Sequence, residues 1–429
     1  MLSPVKYILV FLLLISYGVF GYIIKPRDVF NTTIVLGVAF AIYFYLIGFT
    51  QDKNEVSALL WFSMIFRVVF LFSIPILSSD YIRFLFDGKL MLNGINPYLY
   101  QPAEILSNQT PIDGSLFGDF FSELITNHKY SLAFPLVQYA KVIPAYFIEI
   151  NPIIGLIILR IPILIADFVL FKFLVKLLDK LNLSYNGVLV YALNPLVIIG
   201  LMANISFIGV MLCLFVVGLY YLIQNKWIHS LIFIAVSSVS SIFTILLLPL
   251  IFKKIGLVRS MVFVVFISIM LIVCSLPFYQ EGIFELLLEN LKSNISSSPI
   301  NFGLANVFDW FTGKSHIIIP TLFLVALFSI SISRANDWIS VIKGMMFCVT
   351  SVVLLSFNIK PHYFVLLILF SAIIQEYHFA IIWSLIAFIN YPIFTQSLEH
   401  NYWIMPVEFS LLLVLFLLEL FGKTKKLTE

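Results

Sequence analysis

Tyr7-Ile-Leu-Val-Phe-Leu-Leu-Leu-Ile-Ser-Tyr-Gly-Val-Phe-Gly-Tyr-Ile-Ile24 contains no charged residue. A helix needs about 20 such residues to cross a hydrocarbon core. Runs of the same kind occupy 32–50 and 260–278. None of them alternates apolar with polar residues, as the strands of a closed barrel would. The rest of the chain agrees: of its 429 residues, 61% are hydrophobic and only 11% charged. Soluble domains carry about 25% charged residues. A water-soluble fold of this size has no place for so much apolar surface, so the bilayer is the solvent that fits.

Further apolar runs fall near 56–78, 132–149, 152–178, 187–202, 207–224, 228–252, 316–333, 338–357, 361–375, 378–396 and 402–421. Together they predict an all-α, polytopic integral membrane protein with about 11–14 hydrophobic helices in a single transmembrane domain over 1–429. Two longer polar connections interrupt them, 79–131 and 279–315. Lys25-Pro-Arg-Asp28 follows the first run without a small-residue cleavage site, which reads as a retained helix. Cys213, Cys274 and Cys348 lie inside apolar runs and read as small buried hydrophobes, with no disulfide framework and no metal spacing. No basic block points to nucleic acid.

Lysine and arginine placement sets the expected orientation. Lys423-Thr-Lys-Lys marks the C-terminus as cytoplasmic, as do Lys253-Lys254 with Arg259 and the Lys172, Lys176, Lys180 stripe. Acids outnumber bases in 79–131, which places that connection outside. With the C-terminus inside, 279–315, 358–361 and 397–401 fall on the same outer face. Segment 228–252 must then dip in and return, at its Ser-rich middle. Segment 132–149, interrupted by Pro135 and Pro144, is expected to be half-inserted or to lie at the interface.

The first polar connection opens Ser78-Ser79-Asp80-Tyr-Ile-Arg83-Phe-Leu-Phe-Asp87-Gly88-Lys89 and continues through Gly94-Ile-Asn96-Pro97-Tyr98-Leu-Tyr100-Gln-Pro102. An acid where a membrane helix ends, with an arginine three residues on, puts two charges on one wall at the lipid boundary. Charges there are costly and tend to serve function. The same residues also read as a helix cap and a snorkelling arginine. Asp87 reads either as an organiser of the loop, with or without a metal, or as a turn residue beside Gly88.

This ordered signature resembles the first outer loop of the GT-C glycosyltransferases, nearest to the polyprenol-linked mannosyltransferase-like branch. Other stretches are similar to the same family: Arg67 and Pro75 before the loop, Tyr130-Ser-Leu-Ala-Phe-Pro135-Leu-Val-Gln138, Arg160-Ile-Pro with Ala166-Asp167, Asn194-Pro195-Leu-Val, and Lys360-Pro361-His362-Tyr363. Arg160 with Asp167 is expected to form a structural ion pair or a helix-end pair. The resemblance implies transfer of a sugar, such as mannose, on the outer face of the cell membrane. The donor would be a polyprenyl-phosphate sugar and the acceptor a lipid, glycan or protein hydroxyl of the cell envelope. It makes Asp80 the general base. Arg83, Lys89 and Lys360 are the cations expected near the donor phosphate. Asn96 and Tyr98 would shape the loop, with Tyr98 available to stack on a sugar. Tyr130, Gln138, His362 and Tyr363 complete the expected substrate-binding set. His362 also reads as a satisfied interfacial histidine. No cofactor is implied beyond a possible divalent cation.

The sequence departs from the family pattern after Asn194-Pro195. Gly200, Ser206 and Ile208 stand where relatives carry a glutamate, a histidine and a second acid, and Ser241 stands for a downstream lysine. Two further readings follow. One is a non-catalytic relative that binds a lipid-linked sugar or a partner. The other is a transporter of lipid-linked glycans, for which the expected symmetry of broken helices is missing.

Overall fold

The computed structural model describes residues 2–286, 337–355, 363–396 and 410–419, apart from positions 27, 51, 149, 284, 377 and 412. The expected second connection 279–315 therefore lies almost entirely outside the described residues. Lys360, His362, segment 397–401 and the basic tail lie outside them completely. The described residues are helical and contain no strand. In order the helices are α1 (Pro4–Tyr22), α2 (Val29–Gly48), α3 (Lys53–Val69), α4 (Asp80–Leu92), α5 (Pro102–Leu106), α6 (Pro135–Ala140), α7 (Val142–Phe147), α8 (Pro152–Lys180), α9 (Gly187–Ala192), α10 (Pro195–Ile198), α11 (Ile208–Ile223), α12 (Trp227–Ser240), α13 (Ile242–Ile255), α14 (Leu257–Ser275), α15 (Trp338–Leu355), α16 (Phe364–Ile374) and α17 (Phe379–Gln396).

Six of these elements are long and apolar enough to cross a membrane: α1, α2, α3 with its extension to Phe72, α8, α14 with its extension to Phe278, and α15. Residues Pro195–Ala203 and Ile208–Ile223 form a further pair, bent by 117°. Proline at the first helical turn sets several starts, where its missing N–H costs nothing. Asn151 caps α8 by accepting the Ile153 N–H at 2.8 Å, just before Pro152. Asn194 does the same for α10, accepting from Leu196 at 2.9 Å ahead of Pro195. The outward surface is apolar. Leu257, Val258, Met261, Val265, Ile269 and Ile272 of α14 are all exposed. A stripe of that size facing water would drive association, whereas lipid accepts it. The chain is a multi-pass membrane protein.

Helix α8 runs through the centre and packs on α3, α7, α9 and α11. Two buried arginines tie it to its neighbours, Arg67 from α3 and Arg160 of α8 itself. Arg67 of α3 donates from Nε to Asp167 Oδ2 at 2.5 Å, and neither side chain is exposed. The same guanidinium donates to the carbonyls of Ser63 and Ala192 and lies 4.8 Å from the Phe171 ring centre. Asp167 also accepts the Tyr191 hydroxyl at 3.3 Å. This corrects the expected Arg160–Asp167 pair. Seven residues along a helix separate those two by about 10 Å, and a charge on the neighbouring α3 is nearer. Arg160 instead donates only to oxygens where two elements end. It reaches the carbonyls of Met202 (2.8 Å) and Ala203 (3.1 Å), and those of Leu71 (3.1 Å) and Ser73 (2.6 Å). It thereby fastens the π-helical turn Ile199–Ala203 to the end of α3.

Segment 228–252 divides as its serines suggested. α12 ends at Ser240, Ser241 is extended, and its hydroxyl caps α13 by accepting the Phe243 N–H. Segment 132–149 contains only the two short helices α6 and α7.

Candidate active site

The connection 79–131 is largely ordered helix, and α4 is its main element. Ser78 Oγ accepts the Asp80 N–H at 3.1 Å, so α4 begins at Asp80. An acid in the first turn is favoured by the helix dipole. Asp80 is half-buried there. Arg83 and Asp87 follow at helical spacing on the same face.

Asp87 is almost fully buried and its carboxylate is the hub of a polar cluster. Arg83 Nε donates to Oδ1 at 2.8 Å. Lys141 Nζ donates to Oδ2 at 2.9 Å, and Ser131 Oγ donates to the same oxygen at 2.7 Å. Gln138 Nε2 in turn donates to Ser131 Oγ at 2.7 Å. Arg83 Nη1 donates to the Lys129 carbonyl at 2.8 Å. Burial alone would push the Asp87 carboxyl up. The Arg83 and Lys141 cations and the hydrogen bonds outweigh it, so the group is held below the ordinary carboxylate range. For Lys141, burial pulls the ammonium below its ordinary value against the opposing pull of Asp87; Asp80 adds a weaker field in the same sense as Asp87. Asp87 is thus a mid-helix anchor rather than a turn residue beside Gly88.

Gly88 explains how the cluster closes. A Cβ there would stand 2.2 Å from the Lys141 carbonyl oxygen and 2.7 Å from Ala145 Cβ. Only glycine lets α4 lie this close to α6 and α7, and that approach brings Lys141 to Asp87. Gly88→Ala is therefore expected to push the helices apart and cost about 1–3 kcal/mol of stability. Thermal unfolding in detergent reads this directly. A variant as stable as the parent would mean that α4 does not meet α7 at Gly88.

The rest of the signature ties α4 to α14. Asn96 accepts the Tyr98 N–H at 3.1 Å and donates to the Phe278 carbonyl at 2.7 Å. Tyr98 is 6% exposed, packs edge-on against Phe278 and donates its hydroxyl to the Ala133 carbonyl. With its ring covered in this way, Tyr98 shapes the loop. On the other side, Phe84 of α4 has the Lys141 ammonium 4.9 Å from its ring centre and the Phe207 ring 6.1 Å away. The turn after α10 therefore faces α4, through Phe207.

Residues 22–255, more than half of the chain, match the family model of the alpha-(1->6)-mannopyranosyltransferase N-terminal domain, the MptA_B family. The chain belongs to this mannosyltransferase family. The matched stretch contains all of α4, the Asp87 cluster and the turn after α10. No curated protein and no solved structure matches the chain.

Within this mannosyltransferase-family chain, the expected site residues divide into groups. Arg83, Asp87 and Gln138 are brought together, with Asp80 one helical turn before Arg83. Tyr130 is half-buried next to Ser131. Lys89 lies about 200° round α4 from Asp87, its ammonium 6.0 Å from the Phe117 ring centre. It is therefore not part of the cluster. Tyr363 packs at 5.2 Å on Phe243 at the start of α13. Lys141 and Ser131 were not anticipated. The signal for Lys141 was present, as a single lysine inside the apolar run 132–149, where a charge needs a partner. Among the described residues no group of three His, Cys, Asp or Glu side chains is placed to hold a metal. Asp87 has both oxygens committed to cations and a hydroxyl, so it is a poor ligand for a divalent ion.

Proposed function

We propose that this protein transfers mannose from a polyprenyl-phosphate carrier to an acceptor hydroxyl at the outer face of the cell membrane, with Asp80 as general base. The observation that carries the reading is the placement of Asp80 and Arg83 on one turn of a helix fixed by the buried Asp87–Lys141 pair. In the reaction the acceptor oxygen forms a bond to the anomeric carbon as the bond from that carbon to the phosphate oxygen breaks. The acceptor proton passes to the Asp80 carboxylate. The electron pair leaves with the carrier phosphate, whose growing charge needs a cation beside it. Arg83 supplies that cation. Its Nη2 is buried and without a partner, whereas Nε and Nη1 are committed. The Asp87–Lys141 pair orients Arg83 without taking part in the chemistry.

The acidic excess in 79–131 and the basic tail support a site outside and a C-terminus inside. A carrier lipid reaches such a site by lateral diffusion, which suits an enzyme whose family domain is embedded in the membrane.

A second reading is favoured by one feature, the lack of acidic or basic side chains at Gly200, Ser206 and Ile208. It is a relative that holds lipid-linked mannose without transferring it. Purified protein given polyprenyl-phosphate-mannose and a panel of glycan and lipid acceptors separates the two. Release of free carrier phosphate with a mannosylated acceptor is the expected result. Tight donor binding without turnover on every acceptor would establish the second reading instead.

A further inference from the structure

In the turn between α10 and α11, Asn204 carries a side-chain oxygen that the fold does not use. Asn204 is only 8% exposed. Its backbone N–H donates to the Ile199 carbonyl at 3.0 Å. Its side-chain oxygen is closed off from solvent and has no hydrogen-bond partner. Buried polar atoms are paired in nearly all cases, and an exception calls for a reason. The surrounding backbone is held in an uncommon shape. Ile199–Ala203 is π-helical, and Ile205 sits at φ +58°, a region that a β-branched residue rarely occupies. Arg160 fixes that shape by gripping the carbonyls of Met202 and Ala203, directly before Asn204.

The position of the turn gives the orphaned oxygen its meaning. Phe207 packs on Phe84 of α4, with ring centres 6.1 Å apart, which sets the turn against that helix. Asn204 stands three residues before Phe207, in the turn that meets α4. An unpaired acceptor oxygen repels a phosphate and attracts a hydroxyl. A hydroxyl both donates and accepts, so it meets either edge of an amide. We propose that Asn204 contacts the sugar end of the donor, taking a hydrogen bond from a mannosyl hydroxyl. This rests on the donor reading above and adds to it a residue that recognises sugar rather than carrier.

The test uses the full chain in detergent and two ligands, a short-chain polyprenyl phosphate and the same molecule bearing mannose. The parent protein is expected to bind the mannosylated ligand more tightly. Asn204→Leu should weaken that ligand by about threefold to tenfold and leave the bare phosphate unchanged. The unliganded variant should unfold at the same temperature or higher, because it no longer buries an unpaired acceptor. Asn204→Ala gives the same comparison should the leucine not fit. Equal weakening of both ligands, or an unaltered preference for the mannosylated one, would overturn the proposal while leaving the donor reading in place. A parent protein that binds neither ligand would remove the donor reading and this inference with it.

Discussion

Asp80→Asn is expected to lower mannose transfer by about 10²- to 10⁴-fold, the usual contribution of a positioned general base. The substitution is nearly isosteric and keeps a side-chain oxygen at the start of α4, so the helix still begins there. What it removes is the ability to take a proton from the acceptor. Transfer rate from polyprenyl-phosphate-mannose, read beside the unfolding temperature of the same preparation, separates chemistry from folding. The expected pair of results is lost turnover with an unchanged unfolding temperature and unchanged donor binding. Normal turnover in the variant would sink Asp80 as the base. Loss of both turnover and fold would mean that Asp80 serves as a cap.

The largest effect on stability is expected at Arg67. Removing one partner of a buried ion pair costs about 3–5 kcal/mol, because the other charge is left without compensation. Arg67→Met leaves Asp167 with only the Tyr191 hydroxyl, at a site that no solvent reaches. It also removes the guanidinium's hydrogen bonds to the carbonyls of Ser63 and Ala192. The double variant Arg67→Met with Asp167→Asn removes both charges and keeps an acceptor for Tyr191. It should regain most of the loss. Unfolding measured in detergent for the parent, both single variants and the double variant gives the coupling directly. If the double variant is no more stable than Arg67→Met alone, the pair is not what joins α3 to α8.

Much of the fold was legible in the sequence because its main signal is local. A helix that crosses a bilayer announces itself as an unbroken apolar run, and α1, α2, α8 and α14 follow the runs closely. The serine-rich break between α12 and α13 was legible for the same reason, since serine caps a helix where the chain turns. Partner choice was not. Arg160 and Asp167 share one helix face, and spacing alone makes them look like a pair. Which charge sits opposite Asp167 depends on how α3 lies against α8, and no pattern within α8 encodes that. In the site, Asp80, Arg83 and Asp87 stood out as charges in a helical register. Lys141 was overlooked because its partner is distant in sequence, and it is the approach permitted by Gly88 that unites them. Tyr98 had the look of a sugar-stacking ring until Phe278, brought in by α14, covered it.

Arg160 holds the turn after α10 entirely by its main-chain oxygens. A side-chain grip would have made the amino acids of that turn part of its architecture. A grip on carbonyls makes the contour indifferent to them, since every residue type offers the same oxygen. Positions 200–208 are thus a mould whose lining can be exchanged. Gly200, Ser206 and Ile208 can stand in it together while the mould keeps its outline. What the turn touches is therefore set by that lining, and the shape of the turn is set by the arginine behind it.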